Sequence, residues 1–184
     1  MRELSLNILD IAQNSISAGA SLIEIEIIEN TAKEEMFISI NDNGKGMAAE
    51  QVLNVTDPFF TTRTTRKVGM GIPLFKLAAE QTGGSLTIWS ELGTGTKISA
   101  LFKTGSVDFT PLGDISSTVT MLIVMNTDRD FCYRHSVDSR EFTLKTQELK
   151  QILGDVPLST PDVAEWLKSY IEEQTQIIHG GVLK

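Results

Sequence analysis

Apolar and polar residues alternate with two distinct periods along this chain, and the switch between them outlines its elements. From Leu4 to Ser17, Leu6, Leu9 and Ile16 recur at near-helical spacing, and Ile8 and Ile11 widen the apolar face. Gly19 follows in a position suited to a left-handed cap. Ser21 to Ile28 then alternates, with Ile23, Ile25 and Ile27 against Glu24 and Glu26, the mark of a half-buried strand. A polar turn at Glu29 to Glu35 leads to a second strand with Met36, Ile38 and Ile40 on one face. The short link predicts an antiparallel pair.

The second strand runs into Asp42-Asn43-Gly44-Lys45-Gly46-Met47, where one carboxylate meets two glycines. Glycine lets a chain turn sharply and lets a ligand approach the backbone. A short helix over Ala48 to Val55 follows. Asp57 to Lys67 then reads as a mobile loop with an apolar anchor, Phe59-Phe60, and a basic tip. That loop is either merely solvated or a flap that contacts an anion. Val68-Gly69-Met70-Gly71-Ile72-Pro73 opens a helix to about Thr82, closed by Gly83, and a helix start rich in glycine leaves N–H groups for an anion. Ser85 to Leu92 and Lys97 to Lys103 are strands around Gly93-Thr94-Gly95-Thr96.

Beyond Thr104 the pattern loosens through Gly105, Pro111 and Gly113, which marks a linker. The run Val119 to Met125 is expected to be an apolar strand. Asp130 to Ser136 and Arg140 to Leu144 read as strands, Thr146 to Leu153 as a short helix. Ser159-Thr160-Pro161-Asp162 starts a long helix to about Ile178, with Val163, Trp166, Leu167, Tyr170 and Ile171 on one face. The expected division is a domain over 1–103 and an α/β extension over 104–184.

Composition narrows the function. A formal net charge of −8 over 184 residues argues against nucleic acid or a membrane surface as partner. The single Cys132 permits no internal disulfide and fits a reducing compartment. No apolar run reaches membrane-span length, so a soluble cytoplasmic protein without membrane insertion is expected. Asp10 and Asn14 stand four apart on the first helix and so share a side, as a solvated edge or as part of a site.

In order, the helix with Gln13-Asn14-Ser15-Ile16-Ser17-Ala18-Gly19-Ala20, the Asp42-x-Gly-x-Gly turn, Pro58-Phe59-Phe60-Thr61-Thr62-Arg63, Gly69-Met70-Gly71-Ile72 and Gly93-Thr94-Gly95-Thr96 resemble the boxes of the GHKL ATPases. That superfamily includes sensor histidine kinases, gyrase B subunits, MutL proteins and ninety-kilodalton heat-shock chaperones. The resemblance spans about Leu4 to Phe102. It implies a two-layer α/β sandwich, the Bergerat ATP-binding fold, with ATP and Mg2+ as cofactors.

The same resemblance implies roles. Asp42 would accept from the adenine amino group, helped by Thr96 through a water. Gly44, Gly46, Met47 and Ile72 would border the adenine, although Met47 and Ile72 also suit a plain core. Asn14 would hold Mg2+ together with the phosphates. Gly69, Met70 and Gly71 would meet the phosphates, with Phe59, Thr62, Arg63, Arg66 and Lys67 in the closing loop. Asp10 stands where histidine kinases carry Asn and the other branches carry Glu, so it is the candidate catalytic carboxylate, one methylene shorter than Glu.

The few residues before the first helix predict no phospho-acceptor domain, and His135 and His179 read as structural and as a helix cap. An acceptor is therefore expected on a partner chain. The implied activity is that of an ATPase or protein kinase acting on that partner. The alternative is a nucleotide-sensing interaction module with little turnover. A MutL-like clamp is disfavoured by length and acidity.

Overall fold

The computed structural model describes residues 3–57, 59 and 70–181. Six helices and six strands are present among them: α1 (Leu4–Ser17), β1 (Leu22–Asn30), β2 (Glu35–Asp42), α2 (Ala49–Asn54), α3 (Gly71–Gln81), β3 (Ser85–Glu91), β4 (Gly95–Lys103), α4 (Ile115–Met125), β5 (Asp130–Val137), β6 (Arg140–Lys145), α5 (Thr146–Leu153) and α6 (Pro161–Ile178). The strands form one sheet in the order β3-β4-β2-β1-β5-β6. Helices α1, α3, α4 and α6 pack together over it, giving the α/β architecture that the resemblance implies.

Alternation along the strands decides which face the helices cover. Ile23, Ile25 and Ile27 of β1, Met36, Ile38 and Ile40 of β2, and Ile98, Ala100 and Phe102 of β4 are all buried. The intervening positions are more open to solvent along β1. Phe75 of α3 meets Phe102 of β4 at a ring-centroid distance of 5.3 Å, which seats that helix on the sheet.

Strands β1 and β2 form the expected antiparallel hairpin, with Ile23 opposite Asp42. Strand β4 continues antiparallel to β2, placing Thr96 opposite Asp42. The sheet then crosses the boundary drawn at 103/104, because β5 pairs in parallel with β1 and β6 turns back against β5. Side chains from both sides of that boundary share one apolar core.

The segment expected to be a strand at Val119 to Met125 is helical instead, as the second half of α4. Asp114 caps it: its carboxylate accepts from the Ser117 N–H at 2.9 Å and from the Ser117 hydroxyl at 2.7 Å. Val119, Leu122 and Ile123 are buried, so the helix is enclosed on most sides and its apolar residues run together. A short continuous apolar run has the same look in a buried strand and in a buried helix. The Asp114 cap, directly after Pro111-Leu112-Gly113, was the deciding local signal.

No side chain caps α1. The Leu4 and Ser5 N–H groups donate instead to the Pro111 and Leu112 carbonyls at 2.9 and 2.8 Å. The stretch that reads as a linker therefore closes the N-terminus of the helix that carries Asp10 and Asn14.

Candidate functional site

Four pieces of chain meet at the C-terminal end of β2. The Asp42 carboxylate is held there by two donors. Ser15 of α1 donates its hydroxyl to Oδ2 at 2.5 Å, and the Gly44 N–H donates to Oδ1 at 2.9 Å. An ionised carboxylate has about four lone-pair sites, so two contacts leave it able to accept from a ligand.

The turn after Asp42 is fixed by its neighbours. Asn43 accepts from the Ser21 and Leu22 N–H groups at 2.9 and 3.0 Å, and the Lys45 N–H donates to the Ala18 carbonyl at 2.9 Å. Gly46 has φ +67°, and a methyl group there would overlap the Glu91 carbonyl. Gly95 has φ +140°, and a methyl group there would overlap the Asp42 carbonyl. Both positions demand glycine, first for the backbone angle and then for space.

Ser90 of β3 organises the other wall. Its hydroxyl lies 2.7 Å from the Thr96 hydroxyl, 2.9 Å from the Gly95 carbonyl and 2.8 Å from the Met47 N–H, which donates to it. Thr96 and Met47 are thereby tied to each other, and both are half-buried.

Asp10 and Asn14 lie one turn apart on α1 and are exposed. A Cβ added to Gly71 would lie 2.7 Å from the Asp10 Cβ, so the start of α3 is pressed against α1 at that residue. Partial burial pushes the Asp10 carboxyl above the ordinary carboxylate range. Among the described residues no side chain caps α3, and Pro73 has no N–H, so Gly71 and Ile72 carry the first-turn donors that have no helical partner. Ile72 is buried and belongs to the core, whereas Met70 is exposed.

The structure thus brings together Asp10, Asn14, Asp42, Gly44, Gly46, Met47, Gly71, Ile72 and Thr96 around one end of the sheet and α1. Phe59 does not anchor its loop against the core as expected, since it is 91% exposed. Thr62, Arg63, Arg66, Lys67 and Gly69 lie outside the described residues. Two contributors were not singled out from the sequence. Ser15 sits beside Asn14 but is buried and bonded to Asp42, and Ser90 occupies the strand position paired with Thr96. The signal for Ser90 was strand register, readable only once β3 and β4 are aligned, and Ser15 emerges only through its contact with Asp42.

Comparisons with known proteins bear on the family and the fold. The family described as histidine kinase-, DNA gyrase B-, and HSP90-like ATPase matches residues 1–106. The chain is 36% identical over 101 residues to the sensor protein SrrB of Staphylococcus aureus (strain NCTC 8325 / PS 47), a match covering 52% of this chain and 17% of that protein. The chain therefore corresponds to about a sixth of that relative. Among solved structures, the Aquifex aeolicus MutL ATPase domain complexed with ADP is similar over 100% of this chain and 71% of that one, with a TM-score of 0.52 and 13% identity. The N-terminal domain of a DNA repair protein is similar over 78% of this chain and 52% of that one, with a TM-score of 0.50 and 14% identity. These two likenesses concern the fold. With the family match spanning more than half of the residues, the chain belongs to the histidine kinase-, DNA gyrase B- and HSP90-like ATPases.

Proposed function

We propose that the protein binds ATP with Mg2+ and acts as a kinase-like ATPase on a partner protein. The observation that carries the reading is Asp42, a carboxylate aligned by Ser15 and Gly44 beside the paired Thr96. An acceptor-only group suits the exocyclic amine of adenine, because guanine presents a carbonyl at the same position. Met47 and Ile72 border the ring, and the open N–H groups of Gly71 and Ile72 favour the phosphates. Gly69, Met70, Phe59 and the basic residues Arg63, Arg66 and Lys67, with Thr62, belong to the segment that would close over them.

Asn14 suits a magnesium ion. Its side chain is exposed, offers a neutral oxygen, and makes no hydrogen bond to the other described residues. Bound there with the phosphates, Mg2+ would neutralise charge on the phosphate oxygens. Asp10 faces the same side of α1 one turn earlier. It would orient the nucleophile, a water or a partner's hydroxyl, and accept its proton as the γ-phosphorus is attacked and ADP departs. A carboxyl with a raised pKa is a stronger base than an ordinary one.

A nucleotide-sensing module is the second reading, favoured by the shorter reach of Asp10 against the Glu of related branches. Release of labelled phosphate, or its transfer to a protein captured with ATP and Mg2+, distinguishes the two. An ATPase or kinase shows turnover that Asp10→Asn removes while ATP binding persists. Equal, background-level turnover in both forms leaves only the sensing role. Among the described residues no helix is long and apolar enough to cross a membrane.

A further inference from the structure

A second cluster lies at the far end of β1, six residues beyond Ile23 and so about 20 Å from the Asp42 corner at the usual rise per residue. Ile23, Ile25 and Ile27 face the helices, and Glu29 is the next residue on that face. His135 of β5, wholly buried, places Nε2 2.8 Å from Glu29 Oε1 and Nδ1 3.1 Å from the Tyr133 hydroxyl. His179, which ends α6, places Nε2 3.2 Å from the same Glu29 oxygen and Nδ1 2.7 Å from the Thr175 carbonyl.

A carbonyl only accepts, so Nδ1 of His179 carries the proton. Neutral His179 then turns an unprotonated Nε2 toward a carboxylate oxygen. Two lone pairs facing each other repel, so the contact needs either a second proton on the ring or a metal cation between the two atoms. For His135, a proton on Nδ1 donated to Tyr133 would likewise leave Nε2 aimed at Glu29.

We propose that Glu29, His135 and His179 form a binding site for a divalent transition-metal ion, with zinc the first candidate. Their three donor atoms lie within 4.8 Å of one another and come from three separate elements. Ligands at about 2.05 Å around a tetrahedral centre stand roughly 3.3 Å apart, near the separations between Glu29 and each histidine. Two imidazoles and one carboxylate are a donor set that zinc uses when a fourth position is left to water or a ligand. Tyr133 and the Thr175 carbonyl are outer partners of the kind that fix which imidazole nitrogen meets a metal. The ion would pin the end of α6 to β1 and β5. His179 is half-open to solvent and provides the route of entry.

The test uses the whole chain, stripped with a chelator and free of nucleotide, then titrated with Zn2+ and separately with Co2+. The expected result is one equivalent of Zn2+ per chain, a higher melting temperature, and cobalt absorption bands of a low-coordinate site. His179→Ala and Glu29→Gln should each lose that equivalent. Tyr133→Phe, which keeps the ring, should weaken binding by about 10–100-fold. Cys132 projects to the other face of β5, so Cys132→Ser should bind as wild type. Absence of stoichiometric binding overturns the proposal, as does binding that survives in both folded ligand variants. A proton shared in a metal-free ion pair, seen as a charged His179 by NMR in protein that takes up no metal, overturns it too.

Discussion

Ser15 on α1 donates its hydroxyl to Asp42 at the end of β2 across 2.5 Å, joining two residues 27 apart in sequence. Ser15 is itself buried, so water cannot replace it readily. Hydrogen bonds to charged groups contribute about 1.5–3 kcal/mol. Ser15→Ala should lower unfolding free energy in urea by that order, and should weaken ATP binding because Asp42 loses one of its two positioning contacts. An unchanged affinity would show that the Gly44 N–H alone aligns the carboxylate.

Gly95 provides a backbone test of the same corner. Its φ of +140° and its packing on the Asp42 carbonyl leave no space for a methyl group. Gly95→Ala should cost at least ~1–3 kcal/mol from the backbone angle alone, and more from the clash. The check is a denaturant titration beside Gly93→Ala, where φ is +79° but nothing lies within 4 Å of the added carbon. Gly95→Ala should lose more than Gly93→Ala, since it adds the clash to a backbone angle further from the left-handed helical region.

Gly71→Ala should act on the junction of α3 with α1. The added carbon meets Asp10 at 2.7 Å, so either the helix start or the Asp10 side chain must shift. Steady-state kinetics should show a loss of turnover larger than the loss of thermal stability. Retained turnover would remove Asp10 from the reacting geometry.

The raised pKa of Asp10 has a definite sign. A base must be ionised, so turnover should fall as pH drops through a value above 3.8, the ordinary one for Asp. For stability the sign is reversed. A carboxyl that holds its proton more tightly when folded favours the folded state at low pH, and that advantage is lost as pH rises through its folded pKa. Asp10→Asn should therefore leave stability at neutral pH unchanged or slightly higher while turnover disappears. Parallel melting curves and phosphate-release assays across pH check both statements.

The elements that carry the candidate site were legible in local patterns, whereas the roles of their residues came only from the resemblance. The helix of Asp10 and Asn14, the strand that delivers Asp42, and the glycines at the start of α3 each follow from periodicity and turn chemistry. What could not be read was long-range. The parallel pairing of β1 with β5 joins residues about a hundred positions apart, and no local pattern encodes it. That pairing, together with α6, assembles Glu29, His135 and His179, which singly read as a turn residue, a core residue and a cap. The run ending at Met125 was misassigned because burial on most sides erases helical periodicity. Phe59 was expected to anchor its loop on hydrophobicity alone, but it stands exposed.

The central claim is that Asp42 recognises adenine, and calorimetry of ATP and Mg2+ against wild type and Asp42→Asn tests it most directly. The account predicts clear ATP binding by wild type and none by a folded Asp42→Asn protein, since an amide in place of the carboxylate turns one acceptor into a donor facing the adenine amine. Equal affinity in the two proteins would contradict it.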